Sequence, residues 1–171
     1  GEYQASLLFL LNPGWKTYWR NPGDTGLKPS FDWSESQNLD SANVLWPHPL
    51  IFNETGVVIY GFKNQLLLPI LIKPDHALEN TDLNLKLEFG VCSDICIPIL
   101  AALSKSNIGN GTQQEIIQIR KALNELPKIA TENQKKKIKC KIHPKKKIIN
   151  VAFKSSLITT INKNTHGILE Y

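Results

Sequence analysis

The sequence predicts a mainly β protein, an antiparallel β-sandwich, and three observations support this fold class. Apolar and polar residues alternate without a break over residues 82–91, which is the period-two pattern of a strand with one buried face. Short apolar segments recur at regular spacing along residues 1–110. Turn sequences rich in glycine and proline separate these segments, as is typical of antiparallel sheets.

The individual strands follow from these apolar segments and from the turns between them. We expect strands over residues 3–11, 15–20, 31–33, 43–46, 57–60, 65–72 and 82–91, and again where apolar residues resume at Ile97. Turns are predicted at residues 12–14 and 21–26, both of which contain Asn-Pro-Gly. The Trp-Pro-His-Pro sequence at residues 46–49 must be irregular, because each proline disfavours helical backbone at the residue before it.

A second and smaller part is expected after residue 110. Thr112 and Glu115 have the spacing of a capping box at the start of a helix, and apolar residues at helical spacing continue until Pro127. Strand-like segments return at residues 138–142, 148–153 and 157–161. We therefore expect a sandwich over residues 1–110, and over residues 111–171 a short helix followed by the start of a second β-rich module.

The distribution of charge supports this division. Residues 1–110 contain 7 basic and 11 acidic residues, whereas residues 111–171 contain 13 basic and 4 acidic residues. Within the lysine-rich residues 135–147, apolar residues alternate with lysine around Cys140, which predicts an exposed strand and an unpaired thiol. This run has no aromatic residue to stack on bases, so no nucleic-acid partner is expected. No apolar run approaches the roughly 18 residues of a membrane helix, so no membrane insertion is expected.

Cys92 and Cys96 are the candidate functional residues. If Ser93 to Ile95 form a turn, Cys92 lies opposite Cys96 and Phe89 lies opposite Ile99 in an antiparallel hairpin. The large apolar residues then share one face, and both sulfurs lie on the other, accessible face. Residues opposite each other in such a pair are close enough to form a disulfide.

Three chemical interpretations of this cysteine pair are open from the residues alone. A structural disulfide is the simplest, although a bond that closes such a short loop removes little entropy from the unfolded chain. A disulfide on the solvent side of a hairpin is typical of the reducible kind, which favours a redox-active pair that needs no further cofactor. Two thiolates also suit a soft ion such as Cu(I), for which His48 or His76 could complete the site.

Five motifs carry a resemblance to a known family. In order they are Pro13-Gly14-Trp15-Lys16-Thr17-Tyr18-Trp19, Asn21-Pro22-Gly23-Asp24-Thr25-Gly26, Phe31-Asp32-Trp33, Trp46-Pro47-His48-Pro49 and Cys92-Ser93-Asp94-Ile95-Cys96-Ile97-Pro98. Together they resemble the N-terminal periplasmic domain of DsbD-type thiol:disulfide interchange proteins. The most similar branch includes the suppressor-of-copper-sensitivity membrane reductases. The resemblance covers residues 3–103.

The resemblance implies an immunoglobulin-like β-sandwich and a protein-disulfide reductase activity. Such a domain receives electrons from a thioredoxin-like or membrane-embedded reductase domain and passes them to oxidised periplasmic proteins. By position, Cys96 matches the cysteine that forms the mixed disulfide, Cys92 matches its resolving partner, and Phe52 in the stretch 50–56 matches an aromatic shield over the pair. Fewer residues separate the two cysteines than in the best-known members.

Location and reactivity complete the expectations. The resemblance implies a periplasmic protein, with a tether to the inner membrane in the full-length protein left open. The chain contains no methionine, so we interpret it as a processed piece of a longer precursor.

No basic residue lies beside the cysteines in the sequence, whereas Glu88 and Asp94 are acidic. Because acidic neighbours disfavour a thiolate, we expect Cys96 to be a modest nucleophile.

Overall fold

The computed structural model describes residues 2–54, 56–106, 108–109, 111–143 and 148–153. The chain forms two compact units, Gly1–Pro127 and Lys128–Tyr171. The first contains β1 (Tyr3–Leu10), β2 (Lys16–Gly23), β3 (Ser30–Asp32), β4 (Ser41–Val44), β5 (Leu50–Glu54), β6 (Val57–Lys63), β7 (Gln65–Lys73), β8 (Leu83–Cys92), β9 (Cys96–Lys105) and the helix α1 (Gln113–Asn124). The second contains the short helix α2 (Glu132–Lys135) and strands β10 (Ile138–His143) and β11 (Ile148–Phe153).

Two antiparallel sheets form the first unit. In the first sheet, β7 lies between β1 and β4. In the second sheet, β9 pairs with the full length of β8, while β3 and β2 pair with successive stretches of β8, and β6 and β5 follow beyond β2. The predicted mainly β fold with antiparallel sheets and a short helix is confirmed.

The core lies between the two sheets and follows directly from the period-two patterns. Alternate residues of β7, among them Ile70 and Ile72, point inward and are buried. Leu83 of β8 packs against them from the second sheet, and Leu85 and Leu87 are also buried. Burial of such side chains stabilises the fold by about 1.5–3 kcal/mol each.

Helix α1 begins where the sequence predicts. The Thr112 side chain accepts a hydrogen bond from the Glu115 N–H, and the Glu115 carboxylate accepts one from the Thr112 N–H at 2.7 Å. The helix contacts β1 and β7, and its Ala122 is buried. The first compact unit therefore continues to Pro127, beyond the boundary predicted after residue 110. That residues 1–110 form a domain by themselves stays a prediction.

The segment 21–26 differs from its predicted turn. Strand β2 continues to Gly23, and its pairing with β6 shifts register between Tyr18 and Gly23. Such a bulge accommodates Pro22, which has no N–H to donate to a regular ladder. Gly23 has a positive φ of 92°, and a Cβ there would lie 2.3 Å from the Val58 carbonyl oxygen. The close approach of β6 therefore requires glycine.

In the second unit, β10 and β11 form an antiparallel hairpin. Cys140 lies in β10 opposite Val151, and it is an exposed free thiol, as predicted. The strand predicted at residues 157–161 lies outside the described residues. Of the helices in the described part of the chain, none is long and apolar enough to cross a membrane.

Candidate functional site

The hairpin formed by β8 and β9 carries the cysteine pair at its tip. Its register runs from Leu83 opposite Lys105 to Cys92 opposite Cys96, so the predicted pairing of Phe89 with Ile99 is confirmed. Cys92 and Cys96 form a disulfide, with their Cα atoms 4.1 Å apart. Among the residues that the structure describes, Cys140 is the remaining cysteine and is free.

The disulfide lies on the outer face of the second sheet, the face directed away from the first sheet. Leu87 of β8 points into the core, and side chains alternate along a strand, so Cys92 projects outward. Three neighbouring positions share this face by register. Lys16 lies opposite Cys92, Tyr18 follows two residues later in β2, and Phe52 of β5 lies opposite Ile59.

The two sulfur-bearing residues differ in exposure. Cys96 is exposed, whereas Cys92 is only 1% exposed and belongs to a buried cluster with Tyr18 and Ile59. Phe52 packs against the same cluster from β5. The expectation that both sulfurs lie on an accessible face is therefore correct for Cys96 and wrong for Cys92, because aromatic and aliphatic side chains cover the outer face around Cys92.

The Tyr18 hydroxyl contacts both sulfurs. Its oxygen lies 2.6 Å from the Cys92 Sγ and 3.2 Å from the Cys96 Sγ. A disulfide carries no S–H, so the tyrosine hydroxyl is the donor. Burial, followed by the negative charge of Glu54, raises the pKa of Tyr18 above its ordinary value. The hydroxyl therefore keeps its proton and remains a donor at neutral pH.

A glycine makes room for this tyrosine. A Cβ at Gly90 would lie 2.9 Å from the Tyr18 ring and 2.8 Å from the Leu27 side chain. Gly90 therefore allows Tyr18 and Leu27 to pack on the outer face of β8, two residues before Cys92. Tyr18 belongs to one of the motifs of the resemblance, but its role at the disulfide was not predicted from the sequence.

A buried lysine lies beside the same site. Lys16 is only 8% exposed, and its Nζ bonds the Glu54 carboxylate at 2.5 Å. The same Nζ lies 5.5 Å from the centre of the Phe52 ring, within range of a cation–π interaction. No basic residue neighbours the cysteines along the chain, so none was predicted at the site. Strand pairing between β2 and β8 supplies this one.

An open cavity of about 280 Å³ adjoins the turn of the hairpin. Its lining includes Lys16, Phe52 and Glu54 on one side and Ser93 and Asp94 on the other. The acidic Asp94 therefore lies at the site, as expected from the sequence. In the described ranges there is no group of three or more histidine, cysteine, aspartate or glutamate side chains placed to hold a metal ion. Cu(I) binding by Cys92 and Cys96 stays a prediction.

Comparison with known proteins now decides the family. The family described as thiol:disulfide interchange protein DsbD, N-terminal, matches residues 1–107. The chain belongs to this family. The predicted resemblance is thereby confirmed, and with it the assignment of the cysteine hairpin to a thiol:disulfide interchange domain.

A solved structure agrees with this assignment. The fold is similar to the crystal structure of the N-terminal periplasmic domain of ScsB from Proteus mirabilis, with a TM-score of 0.65 and 27% sequence identity. The match covers 81% of this chain and 52% of the ScsB chain, so the present chain spans about half the length of that relative. None of the curated proteins matches the sequence.

Proposed function

We propose that this DsbD N-terminal domain exchanges its Cys92–Cys96 disulfide with the thiols of partner proteins. The observation that carries the proposal is the unequal exposure of the two residues. Cys96 is open to an incoming thiol, while Cys92 is buried against the Tyr18 hydroxyl. A bond of this kind has one sulfur that a partner can attack and one that is positioned to leave.

The exchange proceeds in two steps. A partner thiolate attacks the Cys96 Sγ, the bond between Cys96 and Cys92 breaks, and its electron pair stays on the Cys92 Sγ as a thiolate. The Tyr18 O–H, already directed at this sulfur, donates a hydrogen bond to the new charge. A second thiol of the partner then attacks the partner sulfur of the mixed disulfide. The partner leaves oxidised, and the domain retains two reduced cysteines after the Cys92 thiolate takes up a proton.

Reduction of a target protein is the reverse sequence. The Cys96 thiolate attacks a target disulfide, and Cys92 then attacks the Cys96 sulfur, which releases the reduced target and restores the Cys92–Cys96 bond. The buried position of Cys92 suits it to this second, intramolecular attack. Cys92 attacks the Sγ of Cys96, which lies beside it in the hairpin, so this step needs no access from solvent.

Cys96 is a modest nucleophile in this proposal. Asp94 lies in the same turn, and the positive charge of Lys16 is paired with Glu54 rather than left for a thiolate. Helix α1, which belongs to the same unit, packs against β1 and β7 of the first sheet, so its N-terminus does not stabilise a thiolate at the pair. The partner's own activated cysteine then makes the first attack on the oxidised domain.

The partners and the compartment follow from the family. We infer that the domain works in the periplasm, where a thioredoxin-like or membrane reductase domain reduces it and an oxidised periplasmic protein accepts its electrons. The periplasmic ScsB domain that it resembles supports this location. A tether to the inner membrane in the complete protein belongs to the same proposal.

Trapping of the mixed disulfide tests the proposal. The background variant is Cys140→Ser, which removes the remote free thiol. Added to it, Cys92→Ser leaves Cys96 able to form a mixed disulfide with a partner, while the domain has no cysteine to resolve it. We expect this variant to displace thionitrobenzoate from a thioredoxin that lacks its own resolving cysteine and carries this group on its remaining cysteine, which gives a stable covalent adduct visible on a non-reducing gel. The matched variant, Cys96→Ser, retains only the buried cysteine and should form little adduct. Equal trapping by both variants, or transfer retained by Cys96→Ser, would contradict the proposal.

A further inference from the structure

We propose that the ion pair between Lys16 and Glu54 is a latch that holds Phe52 over the Cys92–Cys96 disulfide. In this view Lys16 and Glu54 are positioning residues, which set how readily a thiol reaches the disulfide without contacting the reacting sulfurs themselves. The inference rests on the proposed exchange function and adds the element that controls access to it.

The pair connects two strands that do not pair with each other. Lys16 lies in β2, Glu54 is the last residue of β5, and β6 lies between these strands in the sheet. By register Lys16 lies opposite Lys63 and Glu54 lies opposite Val57, at the two ends of β6, so the end of β5 must bend over the outer face of the sheet to bring Glu54 to Lys16. Phe52 lies between these contacts: its ring meets the lysine ammonium and packs against the buried cluster of Cys92.

The burial of Lys16 makes the contact with Glu54 necessary. Lysine is almost never buried without a partner, because removal of its charge from water is costly. The side chain of Lys16 is 11% exposed and that of Glu54 is 53% exposed, so the pair lies at the rim of the covered region. Loss of the carboxylate therefore releases Lys16 toward water, and with it the contact that holds Phe52.

Strand β5 is the part of the sheet that such a latch can restrain. In the described part of the chain, β5 pairs with β6 alone and ends one sheet of the sandwich. Its Leu50 and Glu54 are exposed, while Phe52 between them packs on the Cys92 cluster. The ion pair adds a tie from the end of β5 to β2, next to the strand that carries Cys92.

Simple electrostatics predicts a different response from the latch, which makes the two separable. An attacking thiolate is attracted by Lys16 and repelled by Glu54, so neutralisation of the two residues should change its rate in opposite directions. If the ion pair instead holds Phe52 over the disulfide, loss of either residue releases Phe52. Both neutral variants then react faster.

The experiment measures the rate at which dithiothreitol reduces the disulfide in the full chain at a fixed pH. Reduction is followed by alkylation of the released thiols and mass spectrometry. We expect Lys16→Gln and Glu54→Gln each to react about two- to fivefold faster than the unaltered protein, the range that fits loss of a rim ion pair. The double variant should be no faster than the faster single variant, because both changes remove one interaction.

A second ion pair provides the matched control. Lys73 of β7 bonds Asp40 at 2.7 Å on the other sheet. Lys73→Gln removes an ion pair that is more exposed and remote from the cysteines, and its rate of reduction should equal that of the unaltered protein. The exchanged pair, Lys16→Glu with Glu54→Lys, should restore a slow rate relative to Lys16→Glu alone. Circular dichroism of each variant confirms that the fold is kept.

Salt supplies a further test of the ion pair. Screening weakens a partly exposed ion pair, so added salt should accelerate reduction of the unaltered protein more than that of Glu54→Gln. Single variants that react at the unaltered rate, or that change in opposite directions, overturn the latch and leave the exchange function standing. A disulfide that resists dithiothreitol in the unaltered protein and in every folded variant overturns the exchange function, and the latch with it.

Discussion

The two faces of strand β8 differ in how their side chains are held. The inner face carries three buried leucines at alternate positions, followed by the half-buried Phe89 and Val91. Around Cys92 the outer face is covered by side chains that come from β2, β5 and the segment after β2, and the Tyr18 hydroxyl, the ion pair of Lys16 with Glu54 and the disulfide lie there. The inner face therefore provides stability, whereas the outer face provides a chemical environment that a few separate contacts maintain.

Removal of an inner-face leucine should have the largest effect. Leu85→Ala empties a position that is 3% exposed and should lower the free energy of unfolding by about 2–5 kcal/mol, because it removes buried methyl groups and leaves a cavity. Urea denaturation measures this loss. The rate of disulfide reduction per folded molecule should stay unchanged, and a matched loss of rate would show that the two faces are not independent.

The exposed Leu100 of β9 is the control for this substitution. It is 77% exposed, so Leu100→Ala removes the same atoms from a position that is already in water. Its free energy of unfolding should stay within about 0.5 kcal/mol of the unaltered protein. A large loss in this variant would show that Leu100 packs against something in solution.

A methyl group at Gly90 should have an intermediate effect on both properties. In Gly90→Ala the new Cβ would meet the Tyr18 ring and Leu27 at less than 3.0 Å, so one of them must move. We expect a loss of about 1–3 kcal/mol in unfolding free energy, together with a changed rate of disulfide reduction as Tyr18 shifts from the sulfurs. Gly111→Ala, where the nearest atoms lie 3.8 Å from the new Cβ, should change neither.

Loss of the Tyr18 hydroxyl should have the smallest effect on stability but a specific effect on chemistry. Tyr18→Phe keeps the ring and removes the hydrogen bond to Cys92, which would stabilise a full thiolate by about 1.5–3 kcal/mol and the partial charge of the transition state by part of that. The rate of thiol attack on the oxidised domain should fall about five- to tenfold. An unchanged rate with an intact fold would show that the hydroxyl only fills space.

The pH dependence of the same variant sharpens this result. The raised pKa of Tyr18 means that the folded protein holds this proton more tightly than the unfolded chain. The stabilisation that comes from the protonated hydroxyl is fully present below the ordinary tyrosine pKa of about 10. It is lost as pH rises through the higher pKa of Tyr18 in the folded protein. In alkaline solution, Tyr18→Phe should therefore lose stability less steeply than the unaltered protein.

Much of the fold and part of the site followed from local sequence. The register of the cysteine hairpin, the strands of the core and the capping box of α1 each depend on residues that are close in the chain. The segment 50–56 shows where local sequence no longer determines the structure. It was expected to supply Phe52 as a cover, and the structure forms a strand there whose packing against the Cys92 cluster supports that role. That Phe52 shields the disulfide during exchange stays a prediction.

By itself, the sequence determined that Cys92 and Cys96 face each other across a tight turn, since alternation and turn residues act over a few positions. Only the tertiary structure decided that Cys92 is buried, that Tyr18 directs its hydroxyl at the sulfurs and that Lys16 pairs with Glu54 beside Phe52. The physical reason is strand pairing. Hydrogen bonds of the sheet bring together residues from β2, β5 and β8 that are remote in the chain, and no local pattern records which of them become neighbours.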